Sequence, residues 1–441
     1  MNSTEINKKT IFGWCMYDWA NSAFTLTVIT AVLPLYFADV IVGPGGFTIG
    51  GNVYSATALW GFMISSAALF VFLCAPIMGA IADFSSSKKK FMMAFCYTGS
   101  LFTALLFFCQ TGDVWMTMGF FVIAQIGFVG GNIFYDAFLP QIAPPEKMDW
   151  VSGKGYAFGY IGSDIQFAMS LGLILMHDTF GLTSGEAVRW ALAFSGLWWG
   201  GFSIFTWMYV HEAAAAETIP SKYASRPKII AYIQIGFART AATSKKIAQF
   251  KHLVLFLVGF MLYNEGIQTV IAMATIYGKE ELQLPSDVLM ITLFVIQLVA
   301  MGGALAFSKL AEKIGTKKAI IMTLAVWSGV VVYAYFMTTA LEYMILGVVV
   351  GIVLGGSQSL SRSFYGAMIP AKASAEFYGF YSVFTKFSAI WGPFVFALIR
   401  QISGTARLSI LSLIVFFFAG MIILYFVNEK KALEAKQIEI F

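Results

Sequence analysis

The chain has 441 residues, of which 59% are hydrophobic and only 12% charged, with a formal net charge of +5. A soluble domain carries about 25% charged residues, so this composition excludes a surface bathed wholly in water and points to one that faces lipid. The +5 balance follows from the membrane topology below, and no nucleic-acid partner is expected.

Roughly 20 apolar residues in a helix cross the hydrocarbon layer. Helix is the form in which one segment satisfies its own backbone there. Twelve such segments are predicted, at 12–38, 54–82, 91–110, 114–138, 151–177, 189–210, 252–277, 286–308, 319–338, 341–364, 376–400 and 407–427. The first has a long apolar run without a small-residue cleavage site, so it is expected to stay as an anchor. Between the sixth and seventh lies a polar, basic stretch with Pro220, Pro227 and alanines at 213–216. Part of it, 228–248, can form an amphipathic helix on the inner leaflet or remain a solvated linker. The expected organisation is a six-helix bundle at 1–210, a linker at 211–251, a second bundle at 252–428 and a tail at 429–441. Cys15, Cys74, Cys96 and Cys109 all fall within spans at no metal-ligand spacing, so they are expected to pack. No metal or cofactor is expected, and His177, His211 and His252 near span ends look incidental.

Lysine and arginine set the orientation. With the N-terminus in the cytoplasm, the even-numbered turns lie there too. The opposite side then holds only Arg189, Lys279, Arg400 and Arg407 of the 28 basic residues, and Lys386 falls inside a span. The rest, among them Lys8, Lys88, Lys245, Lys317 and Lys430, share the side of both termini. Both termini are therefore predicted cytoplasmic, in a bacterial inner membrane. The Asn2-Ser3-Thr4 sequon would lie inside the cell.

The two halves repeat their landmarks. Met16-Tyr17-Asp18 in the first span answers to Leu262-Tyr263-Asn264-Glu265 in the seventh. Ala82-Asp83 with Lys88-Lys89 answers to Ala311-Glu312 with Lys317-Lys318. Ala137-Phe138-Leu139-Pro140 answers to Ala367-Met368-Ile369-Pro370. The offsets run between 229 and 246.

Six spans per half in parallel repeat is the layout of the major facilitator superfamily. The turn after the second span resembles that superfamily's signature: Gly79, Asp83 and Lys88 match, while Phe84, Ser86 and Ser87 depart from its basic, glycine and arginine positions. The second copy keeps Lys313, Gly315 and Lys317 and replaces the first glycine with Ser308. The resemblance implies a cytoplasmic gate latch built from Gly79, Asp83, Lys88, Glu312 and Lys317. A narrower resemblance rests on Tyr17-Asp18-Trp19-Ala20-Asn21-Ser22-Ala23-Phe24, on Tyr135-Asp136-Ala137-Phe138-Leu139-Pro140 and on Gly355-Gly356-Ser357-Gln358-Ser359-Leu360-Ser361-Arg362-Ser363. These blocks are similar to the branch related to the vacuolar amino-acid effluxers of autophagy. That branch implies efflux of amino acids or similar solutes.

Ionisable groups inside a membrane are costly and ask for a reason. They are Asp18, Asp136 and Asp164 in the first half, and Glu265, Arg362 and Lys386 in the second. Spans 3, 6, 9 and 12 hold none in their interiors; in the resembling fold those four face lipid. By helical rise, Asp164 lies roughly 20 Å and Lys386 roughly 15 Å from the inner ends of their helices. Glu265 is similarly deep, and Asp18 shallower beside Asn21. Low dielectric disfavours a charged carboxylate, the property that proton coupling uses. Asp18, Asn21, Asp164, Glu265 and Lys386 are the candidates for substrate binding or proton coupling. Tyr17, Asn132, Tyr135, Asn264, Gln268, Gln297 and Gln358 are candidate cavity hydrogen-bonders or helix-packing residues. Asp136 and Arg362 either pair at the cytoplasmic gate or touch substrate.

The expected protein is an all-α membrane protein, a monomeric twelve-helix secondary transporter in two pseudo-symmetric bundles. Its expected cargo is a small polar or zwitterionic solute such as an amino acid, moved with or against protons among membrane lipid. The amine would meet Asp164 or Glu265 and the carboxylate Lys386. An exporter of larger amphipathic compounds, and a sensor that kept the fold without turnover, stay open. No nucleophile–base constellation suggests an enzyme.

Overall fold

The computed structural model describes residues 7–212, 217–246, 250–388 and 391–436; the alanine run at 213–216 and the Asn2-Ser3-Thr4 sequon lie outside these. Twelve long helices follow the predicted order. They are α1 (Lys8–Val42), α2 (Ala56–Ser85), α3 (Lys88–Phe108), α4 (Val114–Ile142), α5 (Met148–Leu175) and α6 (Ser184–Tyr209). The second half has α7 (Lys251–Glu280), α8 (Ser286–Ile314), α9 (Thr316–Phe336), α10 (Ala340–Met368), α11 (Ala371–Ser403) and α12 (Ala406–Phe426). Among the described residues, eleven stretches are long and apolar enough to cross a membrane. The exception, α6, has 26 residues. Its Trp, Tyr, Gly and Ser content lowers its hydropathy, yet Trp190, Leu197 and Trp207 stand exposed on its outer side.

Local chemistry sets several helix starts. Asn7 accepts from the Lys9 and Thr10 N–H groups to open α1. Capping boxes, Thr183 with Glu186 and Thr339 with Glu342, open α6 and α10, each satisfying amide donors that a helix N-terminus leaves free. The structure adds four features that hydropathy did not predict. A π-helix runs through α1 from Phe24 to Val32. A short antiparallel hairpin pairs Phe47–Ile49 with Asn52–Tyr54. α11 consists of two helices, Ser374–Phe387 and Trp391–Ser403, and α12 is also in two pieces that meet at Leu413.

Packing repeats across the halves. Contacts of α1 with α6, α2 with α4, and α3 with both α4 and α6 recur as α7 with α12, α8 with α10, and α9 with both α10 and α12. The fold is thus two pseudo-symmetric six-helix bundles. They meet where α2 crosses α11 and α5 crosses α8. Glycine makes the α2–α11 crossing close: a Cβ on Gly79 would stand 2.3 Å from the Ala375 carbonyl oxygen. The basic residues gather at one end, the basic face, where α2 ends and α3 begins. There Ser86 adopts a left-handed conformation, φ 47° and ψ 51°, at the position where the superfamily signature carries glycine. Gly315 supplies positive φ, 91°, at the equivalent turn. A non-glycine residue in that region costs roughly 1 kcal/mol. Ser86→Gly is therefore expected to raise the thermal midpoint in detergent slightly, as read by scanning fluorimetry; an unchanged or lower midpoint would count against strain there.

Between the bundles, a connecting helix (Lys228–Lys246) lies against α2. This is the helical alternative of the two readings of the linker. A terminal helix, Glu429–Ala435, follows α12.

Candidate functional site

Both bundles contribute to a cavity of about 440 Å³ that runs from the α1–α4–α10 meeting point toward the face opposite the basic one. On its floor Arg362 of α10 reaches across to the first bundle. Its Nη1 donates to Asp18 Oδ2 and Asp136 Oδ1 at 3.2 Å each. Its Nε donates to Ser152 Oγ at 3.0 Å and Nη2 to the Ser152 carbonyl at 2.8 Å. Aromatic faces surround the guanidinium, with Tyr156 at 4.1 Å, Trp14 at 4.9 Å and Tyr135 at 5.4 Å to the ring centres. The planar fork of arginine suits this simultaneous pairing and stacking; a lysine could not reproduce it. Tyr135 also donates its hydroxyl to Asp18 Oδ2 at 2.7 Å, and Trp14 fixes the Tyr135 backbone through a 2.9 Å hydrogen bond.

Among the described residues the floor carries one cation and two carboxylates. The Arg362 side chain is 3% exposed, but those of Asp18 and Asp136 are 13% and 19% exposed. A solute entering the cavity can therefore meet the carboxylates. Above them Asn21 donates to Asn132 at 2.6 Å, and Tyr160 donates to Gln358 across the bundle boundary at 2.8 Å. Gln268 and Gln297 also line the space. Apolar side chains of the second bundle, such as Val270, Val331 and Leu354, form the remaining wall.

Two further contacts join the bundles at the basic face. Asp83 pairs with Lys88 at 2.8 Å, and its carboxylate accepts the Ala375 and Glu376 N–H groups at the start of α11. Lys88 also donates to Ser374 at 3.0 Å. A carboxylate at a helix N-terminus meets both free donors and the positive end of the helix dipole. On the other interface Asp149 accepts from Thr316 at 2.7 Å and from the Ser363 hydroxyl. Beside the first latch, Glu212 accepts from the Lys88 and Lys89 N–H groups that open α3; burial pushes its carboxyl up, against the lowering effect of those donors.

The structure separates the expected residues into groups. Asp18, Asn21, Asn132, Tyr135, Asp136, Gln268, Gln358 and Arg362 share the cavity. Gly79, Asp83 and Lys88 come together at the α2–α11 crossing. Glu312 lies 3.7 Å from Lys147, an exposed pair that contributes little. Lys317 does not join it and instead donates to the Tyr425 and Val427 carbonyls that end α12.

Tyr17 is buried under Tyr135 rather than exposed to the cavity, and Asn264 donates to Ser388 of α11. Glu265 also points away from the cavity: it accepts the Gly392 N–H at the start of the second piece of α11. Lys386 is half-buried on α11, and it is not among the residues lining the cavity. Asp164 is 5% exposed, and neither of its oxygens has a hydrogen-bond partner among the described residues. The expected pairing of Asp164 or Glu265 with Lys386 around one solute is therefore not the geometry found. Rotation about each helix axis turns these three away from a shared cavity.

Ser152, Tyr156 and Tyr160 were missed. Their spacing of four puts them on one stripe of α5, a polar and aromatic series that sequence periodicity could have flagged.

The twelve helices, their paired bundles and the cavity between them with its charged floor define a membrane transporter of the major facilitator fold. Solved structures agree. The fucose transporter FucP in its outward conformation superposes with a TM-score of 0.68 at 12% identity, covering 95% of this chain and 98% of that one. The human organic anion transporter MFSD10 gives 0.66 at 14% identity, covering 94% and 98%. The family model "Vacuole effluxer Atg22 like" matches residues 6–437, and the chain belongs to that family. The MFS-type transporter YxiO of Bacillus subtilis is 35% identical over 427 residues, 96% of each chain. Autophagy-related protein 22 of Pichia angusta is 22% identical over 528 residues, 97% of this chain and 94% of that one.

Proposed function

We propose that this transporter carries a small zwitterionic solute, an amino acid in the first instance, outward across a bacterial inner membrane as a monomer. The basic face is the cytoplasmic one, with the chain ends inside, and lies at the end of 1–210 and 252–428 that the 211–251 linker joins. The observation that carries the reading is the cavity floor. Asp18 and Asp136 offer an ammonium group two acceptors, held apart by the buried Arg362, and the amides of Gln268 and Gln297 on the second bundle are the donors for a carboxylate. The apolar wall of the second bundle leaves room for a side chain. The cavity stands open on the side away from the latches, the state from which an exported solute leaves. Alternating access then needs the Arg362 and Asp83 contacts to break.

Proton coupling is assigned to Asp164. A buried charge needs a counter-charge or a hydrogen-bond partner, and a proton fills that need where the structure offers none. The test is flux in proteoliposomes with a labelled metabolite mixture. Amino acids are expected to exchange across the membrane. Movement only of bulky amphipathic compounds would replace the reading with a drug-type exporter, and saturable binding without flux would replace it with a sensor. Asp164→Asn is expected to keep solute exchange at equal pH and to lose at least about tenfold of the stimulation by a pH gradient. Full gradient dependence in that variant would remove Asp164 from the role.

A further inference from the structure

The connecting helix carries an unpartnered apolar stripe. Ile229, Ile230, Ile233 and Phe237 are 75%, 46%, 44% and 58% exposed, and their spacing places them along one side of the helix. Its opposite side is fixed to α2. Ala231 and Ile235 are buried there. Gly236 lies so close that a Cβ would come within 2.6 Å of Ile81 Cγ1. Arg239 stacks 4.9 Å from the Phe84 ring centre and pairs with Glu217, whose N–H donates to the Phe84 carbonyl. The stripe therefore stays outward while the helix is docked.

Its surroundings identify what covers it. The 30 residues of α2 extend about 45 Å at a helical rise of about 1.5 Å, more than the hydrocarbon thickness of about 30 Å. The helix docks on Ile77 and Ile81, near the basic end, and so lies at headgroup depth. Below it α2 exposes Leu69, Phe72 and Leu73, so the apolar stripe continues a lipid-facing surface. Lys222, Arg226 and Lys228 stand exposed at the start of the segment and Lys245 near its end, and 228–246 contains no acidic residue. A basic helix with one apolar side lies in the membrane interface and is drawn to anionic lipid.

We propose that the connecting helix is an interfacial anchor: its Ile229–Phe237 stripe enters the leaflet on the basic face, and Lys222, Arg226 and Lys228 hold anionic headgroups. This does not depend on what the cavity carries. The test uses the full chain with its four native cysteines replaced and a fluorophore on Ile233→Cys or, as control, Ala224→Cys. It is reconstituted in phosphatidylcholine with or without phosphatidylglycerol. Brominated acyl chains are expected to quench position 233 and not 224, at least about twofold more strongly with phosphatidylglycerol present. Lys222→Gln, Arg226→Gln and Lys228→Gln together are expected to erase that increment while size-exclusion behaviour stays unchanged. Emission typical of water at 233 in both lipids would overturn the proposal. So would equal quenching in both lipids, or cross-links at 233 between two copies showing that protein covers the stripe.

Discussion

Replacing Arg362 with alanine is expected to lower transport by at least about 100-fold while leaving the protein folded. The side chain is the one cation that the second bundle inserts into the first at the cavity floor, and it holds Asp18, Asp136 and Ser152 together. Removing one partner of a buried ion pair costs about 3–5 kcal/mol, because the remaining charge is left uncompensated. Here two carboxylates would remain, facing each other across the vacated floor. That cost falls on the state closed at the basic face. At 1.4 kcal/mol per factor of ten, about 3 kcal/mol exceeds a hundredfold shift in population. Two measurements check this: exchange flux in proteoliposomes, and alkylation of Met148→Cys, which is buried at the basic face in the closed state. Alkylation should accelerate as flux falls. Arg362→Lys is expected to recover little, since one ammonium cannot meet both carboxylates, hold Ser152 at two points and stack on Tyr156 at once. Parental flux in the alanine variant would show that the floor charges are not needed for turnover.

Gly79→Val is expected to act on the same equilibrium without touching a charge. The position where α2 crosses α11 has no room for a side chain, since even a Cβ would meet the Ala375 carbonyl at 2.3 Å. The neighbour is backbone at the start of α11, tied to Asp83 through two N–H donors, so it cannot rotate aside. Overpacking costs about 1–3 kcal/mol, corresponding to about 5–150-fold in population. Opening the basic face separates the two helices and relieves the overlap, so the valine should favour that state. Spin labels near the basic ends of α2 and α11 are expected to report a longer distance, and solute exchange should slow because one half of the cycle is penalised. An unchanged distance distribution would mean that the crossing adapts locally and is not the point of closure.

Much of this fold was legible in one dimension. The twelve spans were found because hydrocarbon demands about 20 apolar residues from each helix, a requirement written locally in the sequence. The observed helices overrun the predicted spans chiefly at the basic face, where α2 continues to Ser85, α8 to Ile314 and α10 to Met368. There polar residues leave the hydrocarbon while the backbone hydrogen bonds go on. The division of α11 into two helices escaped notice because hydropathy averages over Lys386, Ser388 and the Gly392-Pro393 pair that lie where the first ends and the second begins. The π segment of α1 escaped because hydropathy carries no record of hydrogen-bond register.

From one dimension alone it follows that this chain is a membrane protein of paired six-helix halves, where along it the basic residues concentrate, and how far along its helix each charged residue sits. All of these depend on position along a helix. Tertiary structure alone decided which charges meet. Arg362 finds Asp18 across 344 residues and Asp136 across 226, while Asp164, Glu265 and Lys386 turn to other surroundings. Depth is fixed by counting residues, but direction is fixed by how each helix rotates to bury its small residues against a neighbour, and that rotation belongs to the packed bundles as a whole.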